Sequence, residues 1–146
     1  MVNDLSYDLL RLFFKKSIPI SLLIEVTKRC NWNCIFCYAE CNENDGLEID
    51  VLINVLESFK KLGTFNLTFT GGEPFLKQEI WEIIERAKHM GFALNVNTNG
   101  SLLNAFDIEK IAKYFSKINV SLHAVLPETH NYIVRNNKAW ENTTKN

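Results

Sequence analysis

Four cysteines, Cys30, Cys34, Cys37 and Cys41, fall inside one 12-residue window of a 146-residue chain. A disulfide framework spreads its cysteines to tie distant loops together, so thiols packed into one loop indicate a metal loop in a reducing compartment. Cys30-x3-Cys34-x2-Cys37 suits three irons of a cubane cluster better than one tetrahedral zinc, whose ligands usually come as two pairs separated by a longer stretch. With Cys41 at hand, a four-cysteine zinc site and a fully ligated cluster both stay open. The bacterial ferredoxin run is the nearest electron-carrier pattern, but here the first spacing is one residue longer and Asn42 stands at its proline position.

The rest of the chain is ordinary enough to fold around such a loop. It has 47% hydrophobic residues and 23% charged ones, a composition that excludes disorder and low complexity and fits one domain with its own core. Sixteen basic residues against 17 acidic ones give a net charge of -1, with no field to hold a phosphate backbone, so nucleic acid is not an expected partner. The greasiest stretch, Ile18 to Val26, is broken by Pro19, Ser21 and Glu25 and is far from the roughly 20 residues of a membrane span. Charges from Asp4 to Lys16 break any signal-peptide core, so a cytoplasmic protein without membrane attachment is expected. Leu5, Leu9, Leu12 and Phe13 mark one face of a helical extension over residues 1–17 that is expected to pack on the domain, the alternative being a membrane-surface or partner helix.

Strands are expected at Ser21 to Thr27, Asn66 to Thr70, Ala93 to Asn97 and Ile118 to His123. Helices are expected between them. The first runs from an Asp50 cap to Leu62 with Leu52, Val55, Leu56 and Phe59 on one face, and Gly63 ends it. The second covers Gln78 to Met90, with Ile80, Ile83, Ile84 and Ala87 inward, and the third covers Asp107 to Ser116, with Ile108, Ile111, Ala112 and Phe115 inward. Alternating strand and helix gives an α/β fold of about four βα units on a parallel sheet. The strands themselves alternate. Leu67 and Phe69 oppose Asn66, Thr68 and Thr70, and Leu94 and Val96 oppose Asn95 and Asn97. A closed barrel fills its lumen with branched apolar side chains, so these polar faces point to a wider, splayed barrel whose lumen holds ligand and water, the alternative being a one-sided, solvent-facing sheet.

Three further motifs join the cysteines at the carboxyl ends of the strands, where such folds place their active sites. Gly71-Gly72-Glu73-Pro74 lets backbone approach a ligand and offers a carboxylate to an ammonium group. Asn97-Thr98-Asn99-Gly100 and Ser121-Leu122-His123 end the third and fourth strands. Each alone is also an ordinary turn or polar cluster. Taken together, and with Phe36 before the last cysteine of the trio, the series resembles the radical S-adenosylmethionine (SAM) superfamily over about residues 18–135. The run from Ser121 to His123, followed by His130, resembles the group containing peptide and protein maturases with a SPASM domain.

The resemblance implies a partial (β/α) barrel that binds a 4Fe–4S cluster and SAM, and cleaves SAM reductively to a 5'-deoxyadenosyl radical for hydrogen abstraction. It implies Cys30, Cys34 and Cys37 as cluster ligands, Gly72 and Glu73 at the SAM amino group, and Phe36 and Tyr38 near adenine. Asn97, Asn99, Ser121 and His123 become candidates for ribose and carboxylate contacts, and Arg135 for pairing the SAM carboxylate. Cys41 matches no position of the core motif. The implied partners are a peptide or small-molecule second substrate and a low-potential donor such as ferredoxin or flavodoxin. The family core has six βα units, so residues 18–135 form an incomplete barrel and 136–146 a polar tail. A missing barrel half or lateral self-association would then cover the open edge. A non-catalytic iron–sulfur or zinc module, or a fragment, is the alternative function.

Overall fold

The computed structural model describes residues 4–39, 45–106 and 108–145. Four parallel strands, β1 (Ser21–Thr27), β2 (Asn66–Gly71), β3 (Ala93–Thr98) and β4 (Phe115–Val120), lie side by side in chain order as one open sheet. Between them run α2 (Ile49–Lys61), α3 (Ile80–His89) and α4 (Ile108–Tyr114). The helix α1 (Asp4–Lys15) precedes the sheet, and α5 (Pro127–Val134) and α6 (Ala139–Thr144) follow it. Among the described residues no helix is long and apolar enough to cross a membrane.

The alternation read from the strands sets the two faces of the sheet. Val26, Leu67, Phe69, Leu94 and Val96 point to the helices and are buried, with Leu52 and Leu56 of α2 and Ile80, Ile83, Ile84 and Ala87 of α3 packed on them. Each of the Val, Leu, Ile and Phe side chains among them, fully buried, contributes about 1.5–3 kcal/mol. Glu25, Thr68, Asn95, Asn97 and Asn119 lie on the other, polar face, where the Asn119 amide donates to Asn97 Oδ1 at 2.8 Å. Helix α2 begins one residue before the expected cap. Glu48 is its N-cap, and Asp50 sits in the first turn, where its charge complements the helix dipole. Gly63 (φ +97°) and Gly91 (φ +81°) end α2 and α3 in the left-handed region, as expected of glycine C-caps.

The fourth strand departs from expectation. It starts at Phe115 rather than Ile118 and stops at Val120, so Ser121 to His123 lie in the following loop and α4 is shortened to Tyr114. Leu94 pairs with Phe115 and Asn95 with Lys117, which leaves Ser116 as an extra residue. That bulge puts Phe115 and Ile118 on one face although they are three residues apart, a spacing that otherwise signals helix. Of the inward face expected for the third helix, Ile111 and Phe115 are buried, while Ile108 and Ala112 are exposed.

Helix α1 rests on the sheet end opposite the cysteines. Leu9, Leu10 and Phe13 line a cavity with Ile20 and Phe65, but Leu9 and Leu12 stay about half exposed, so the expected packing is partial. The expected polar tail is also more ordered than its composition indicates. Ala139 of α6 is fully buried in a small second core with Trp32 and Val134.

Candidate active site

The cysteine loop leaves β1 at Thr27 and returns at Asp45, and a polar latch ties the two ends. The Thr27 hydroxyl donates to Asp45 Oδ1 at 3.0 Å and accepts from the Arg29 N–H at 3.1 Å. Lys77, only 4% exposed, donates to the Asp45 carbonyl at 2.9 Å, and Arg29 Nη2 donates to the Leu76 carbonyl at 2.7 Å. A buried ammonium needs such partners, and here they hold the base of the loop.

Beyond β2 the chain lies against the start of that loop. Gly72 N–H donates to the Thr27 carbonyl at 2.9 Å and Glu73 N–H to the Arg29 carbonyl at 2.8 Å. Only glycine fits this approach. A Cβ on Gly71 would lie 2.2 Å from the Thr27 carbonyl oxygen, and one on Gly72 would lie 2.2 Å from that of Arg29 and 2.9 Å from Cys30 Cβ. The paired glycines therefore set the second strand's end directly against Cys30.

The loop's other side rests on α5. Asn33 and Ile35 donate their N–H groups to the carbonyls of Val134 and Ile133 at 3.1 and 2.9 Å, and the Trp32 ring is buried beside them. Trp32 N–H points at Cys30 Sγ, 3.4 Å away. Cys30 and Cys34 are half-buried and Cys37 is exposed. Cys41 lies outside the described residues.

A cavity of about 170 Å³ opens above the carboxyl ends of the strands. Its lining includes Cys30, Cys34 and Cys37, the rings of Phe36 and Tyr38, Gly72, Asn97, Asn99, Ser121 and His123. Ten of the expected site residues thus share one wall, although they come from four separate segments. Phe36 meets His123 edge to face at 4.9 Å between centroids, and His123 stacks on His130 at 5.7 Å. Burial holds the His130 ring below its ordinary pKa, with the neighbouring His123 adding to the effect, and its Nδ1 accepts from the His123 N–H at 3.2 Å.

Two expected contacts are not in that wall. Glu73 is fully buried beneath it: its carboxylate accepts from the Thr98 hydroxyl at 2.8 and 2.9 Å, from Asn99 N–H at 2.8 Å and from Phe75 N–H at 3.2 Å. Burial raises its pKa, and those hydrogen bonds oppose the rise. In this structure its carboxyl group joins the ends of β2 and β3. Arg135 is exposed at the end of α5 in the left-handed region (φ 54°), also outside the lining. Sequence reasoning missed Asn31 and Ser101, which bond to Asn99 from either side. They lie about 70 residues apart, and no local pattern links them.

The donor set fits an iron–sulfur cluster. Three soft thiol side chains stand around one cavity with a backbone N–H directed at one sulfur, the kind of hydrogen bond that tunes cluster potential. Among the described residues no three His, Cys, Asp or Glu side chains converge tightly enough to cage a single ion.

Comparison with known proteins agrees. The "Probable GTP 3',8-cyclase" of Methanothermobacter thermautotrophicus is 33% identical over 122 residues, covering 80% of this chain and 39% of that one. The chain thus spans about two fifths of the length of this curated relative. Among solved structures, Streptococcus suis SuiB bound to S-adenosylmethionine superposes with a TM-score of 0.68 at 19% identity, over 89% of this chain and 30% of that one. SuiB bound to its precursor peptide SuiA gives 0.70 at 20%, over 88% of this chain and 30% of that one, so the shared feature is the fold. The family model for the radical SAM superfamily, whose enzymes use a 4Fe–4S cluster and SAM, matches residues 24–146, and the chain belongs to that superfamily.

Proposed function

We propose that this chain is the cofactor-binding part of a radical SAM enzyme, with Cys30, Cys34 and Cys37 holding a 4Fe–4S cluster and SAM lying in the adjoining cavity. The observation that carries the reading is the convergence of three thiols, the bare Gly71–Gly72 backbone and the polar ends of β3 and β4 on one cavity. When bound and reduced, the cluster supplies the electron that splits SAM into methionine and a 5'-deoxyadenosyl radical, which takes a hydrogen atom from a second substrate.

The chain's own residues orient and shield. Gly72 keeps the β2 end against Cys30, so a ligand on the cluster side meets backbone rather than side chain. Asn97, with its Oδ1 taken by Asn119, has its amide N–H groups to offer to ribose hydroxyls, and Ser121 adds a hydroxyl. Phe36 and His123 form an aromatic corner for adenine, and Trp32 closes the loop on its buried side. Water is thereby kept from one flank of the reaction.

For the second substrate we favour a nucleotide over a peptide. The relative at 33% identity is named for GTP, whereas the likeness to peptide-bound SuiB is one of fold at 20% identity. The asparagine- and threonine-rich sheet face matches the hydrogen-bonding edges of a nucleobase. A low-potential donor such as ferredoxin or flavodoxin would supply the electron.

Anaerobically reconstituted, dithionite-reduced protein is expected to form 5'-deoxyadenosine from SAM. Cys37→Ala should abolish cluster loading and product, and Cys41→Ala should retain both. Full iron loading without nucleoside product would favour a non-catalytic module, and equal losses in the two variants a fully ligated cluster.

A further inference from the structure

Asn99 lines the cavity, yet its polar atoms are already engaged. Its Nδ2 donates to Asn31 Oδ1 at 2.7 Å, and its Oδ1 accepts from Ser101 Oγ at 2.7 Å and Ser101 N–H at 2.9 Å. Its N–H donates to Glu73 at 2.8 Å, and its carbonyl accepts from Thr143 Oγ1 of α6 at 2.9 Å. The residue is 6% exposed. Asn31 closes the circuit by donating from Nδ2 to Ser101 Oγ at 2.8 Å. Asn31, Ser101 and Asn99 thus form a ring in which each side chain donates to the next, and Asn31 sits directly after Cys30.

We propose that this ring fixes the distance between the cysteine loop and the β3 end, making Asn31, Asn99 and Ser101 positioning residues rather than ligands of the nucleoside. The inference rests on the SAM reading of the cavity. A ribose contact through the Asn99 Oδ1 would have to break a bond to Ser101 and leave a nearly buried polar group unpaired, and of the amide only the second N–H of Nδ2 is uncommitted. Asn97 and Ser121, which lack such a closed circuit, have more to offer the ligand. The ring joins the loop carrying Cys30 to the turn after β3, and the main-chain carbonyl of Asn99 ties that turn to α6 through Thr143. A shift of the loop is therefore transmitted to the wall where the nucleoside lies.

A double-mutant cycle tests this. Asn31→Ala, Asn99→Ala and their combination are loaded with iron, and SAM affinity is measured by equilibrium dialysis. Loss of the ring should weaken SAM binding about tenfold in Asn31→Ala, the equivalent of one hydrogen bond of about 1.4 kcal/mol, with iron per chain unchanged. The double variant should be no worse than the weaker single variant. Ser101→Ala, which removes only the hydroxyl, should shift affinity in the same direction and covers the case in which Asn99→Ala does not fold. Asn31→Ala and Ser101→Ala both within twofold of the parent, or fully additive losses, would overturn the proposal. Amide hydrogen exchange of the cluster-free protein is the independent readout. Asn31→Ala should speed exchange at Ser101 about tenfold, and unchanged exchange refutes the ring even if the parent never binds SAM, a result that would sink the SAM reading separately.

Discussion

Gly72→Ala places a methyl group where the structure has no room. The new Cβ would stand 2.2 Å from the Arg29 carbonyl oxygen and 2.9 Å from Cys30 Cβ. Ordinary contact needs about 3.5 Å, so one segment must retreat by over 1 Å. Retreat stretches both hydrogen bonds that join the segments, Gly72 N–H to Thr27 and Glu73 N–H to Arg29. Overpacking of this kind costs about 1–3 kcal/mol and a compromised hydrogen bond about 1 kcal/mol more, for a total of about 2–4 kcal/mol. For a domain of this size that is about 6–12 °C in melting temperature. Because the displaced atom neighbours Cys30, iron uptake should fall with it. Circular-dichroism melting of the metal-free protein, with iron per chain after anaerobic reconstitution, reads both effects. Gly91→Ala is the control: its Cβ meets only the Lys60 side chain at 3.6 Å, so it carries backbone strain alone and should keep full iron uptake. If Gly72→Ala melted with the parent and loaded iron fully, the close-approach reasoning would be wrong.

Three other outcomes follow from the same geometry. Trp32→Ala empties the small core under the cysteine loop and should cost about 3–5 kcal/mol, read by denaturant unfolding. Glu73 has a raised pKa through burial, so the folded state holds its proton more tightly than the unfolded one; stability is greatest below the ordinary carboxylate range and falls as pH rises through the raised value. Glu73→Gln should therefore gain on the parent as pH rises above the ordinary carboxylate range of about pH 4, and a difference independent of pH would contradict this. His130 is shifted the opposite way: its lowered pKa keeps it neutral in the fold, so its contribution is complete above about pH 6.5 and is lost as pH falls toward the folded value. His130→Phe should flatten that acid-side slope in urea titrations.

What could be read in advance was whatever is written locally. The alternation in β1, β2 and β3 is flanked by turns and gave each strand to within one residue. The cysteine trio and the polar strand ends are short motifs, and the cavity gathers them. The failures are non-local. The bulge at Ser116 turns a helical spacing into a strand. Helix α6 is short, with only Ala139 and Trp140 apolar, and is held by partners far away, including the Trp140 indole on the Val125 carbonyl and Thr143 on Asn99. A motif names Glu73 but does not say which way its side chain turns, and here three donors, the Thr98 hydroxyl and the Asn99 and Phe75 N–H groups, hold it beneath the cavity. Asn31 carries no signal without Asn99, from which it is separated by 68 residues.

The most direct test is electron paramagnetic resonance of the reconstituted, dithionite-reduced protein as SAM is titrated in. An iron left open by three cysteines predicts that the cluster signal shifts with SAM and saturates at one equivalent per chain. A signal that ignores SAM at full iron loading would mean that protein groups occupy every iron, and would contradict the account.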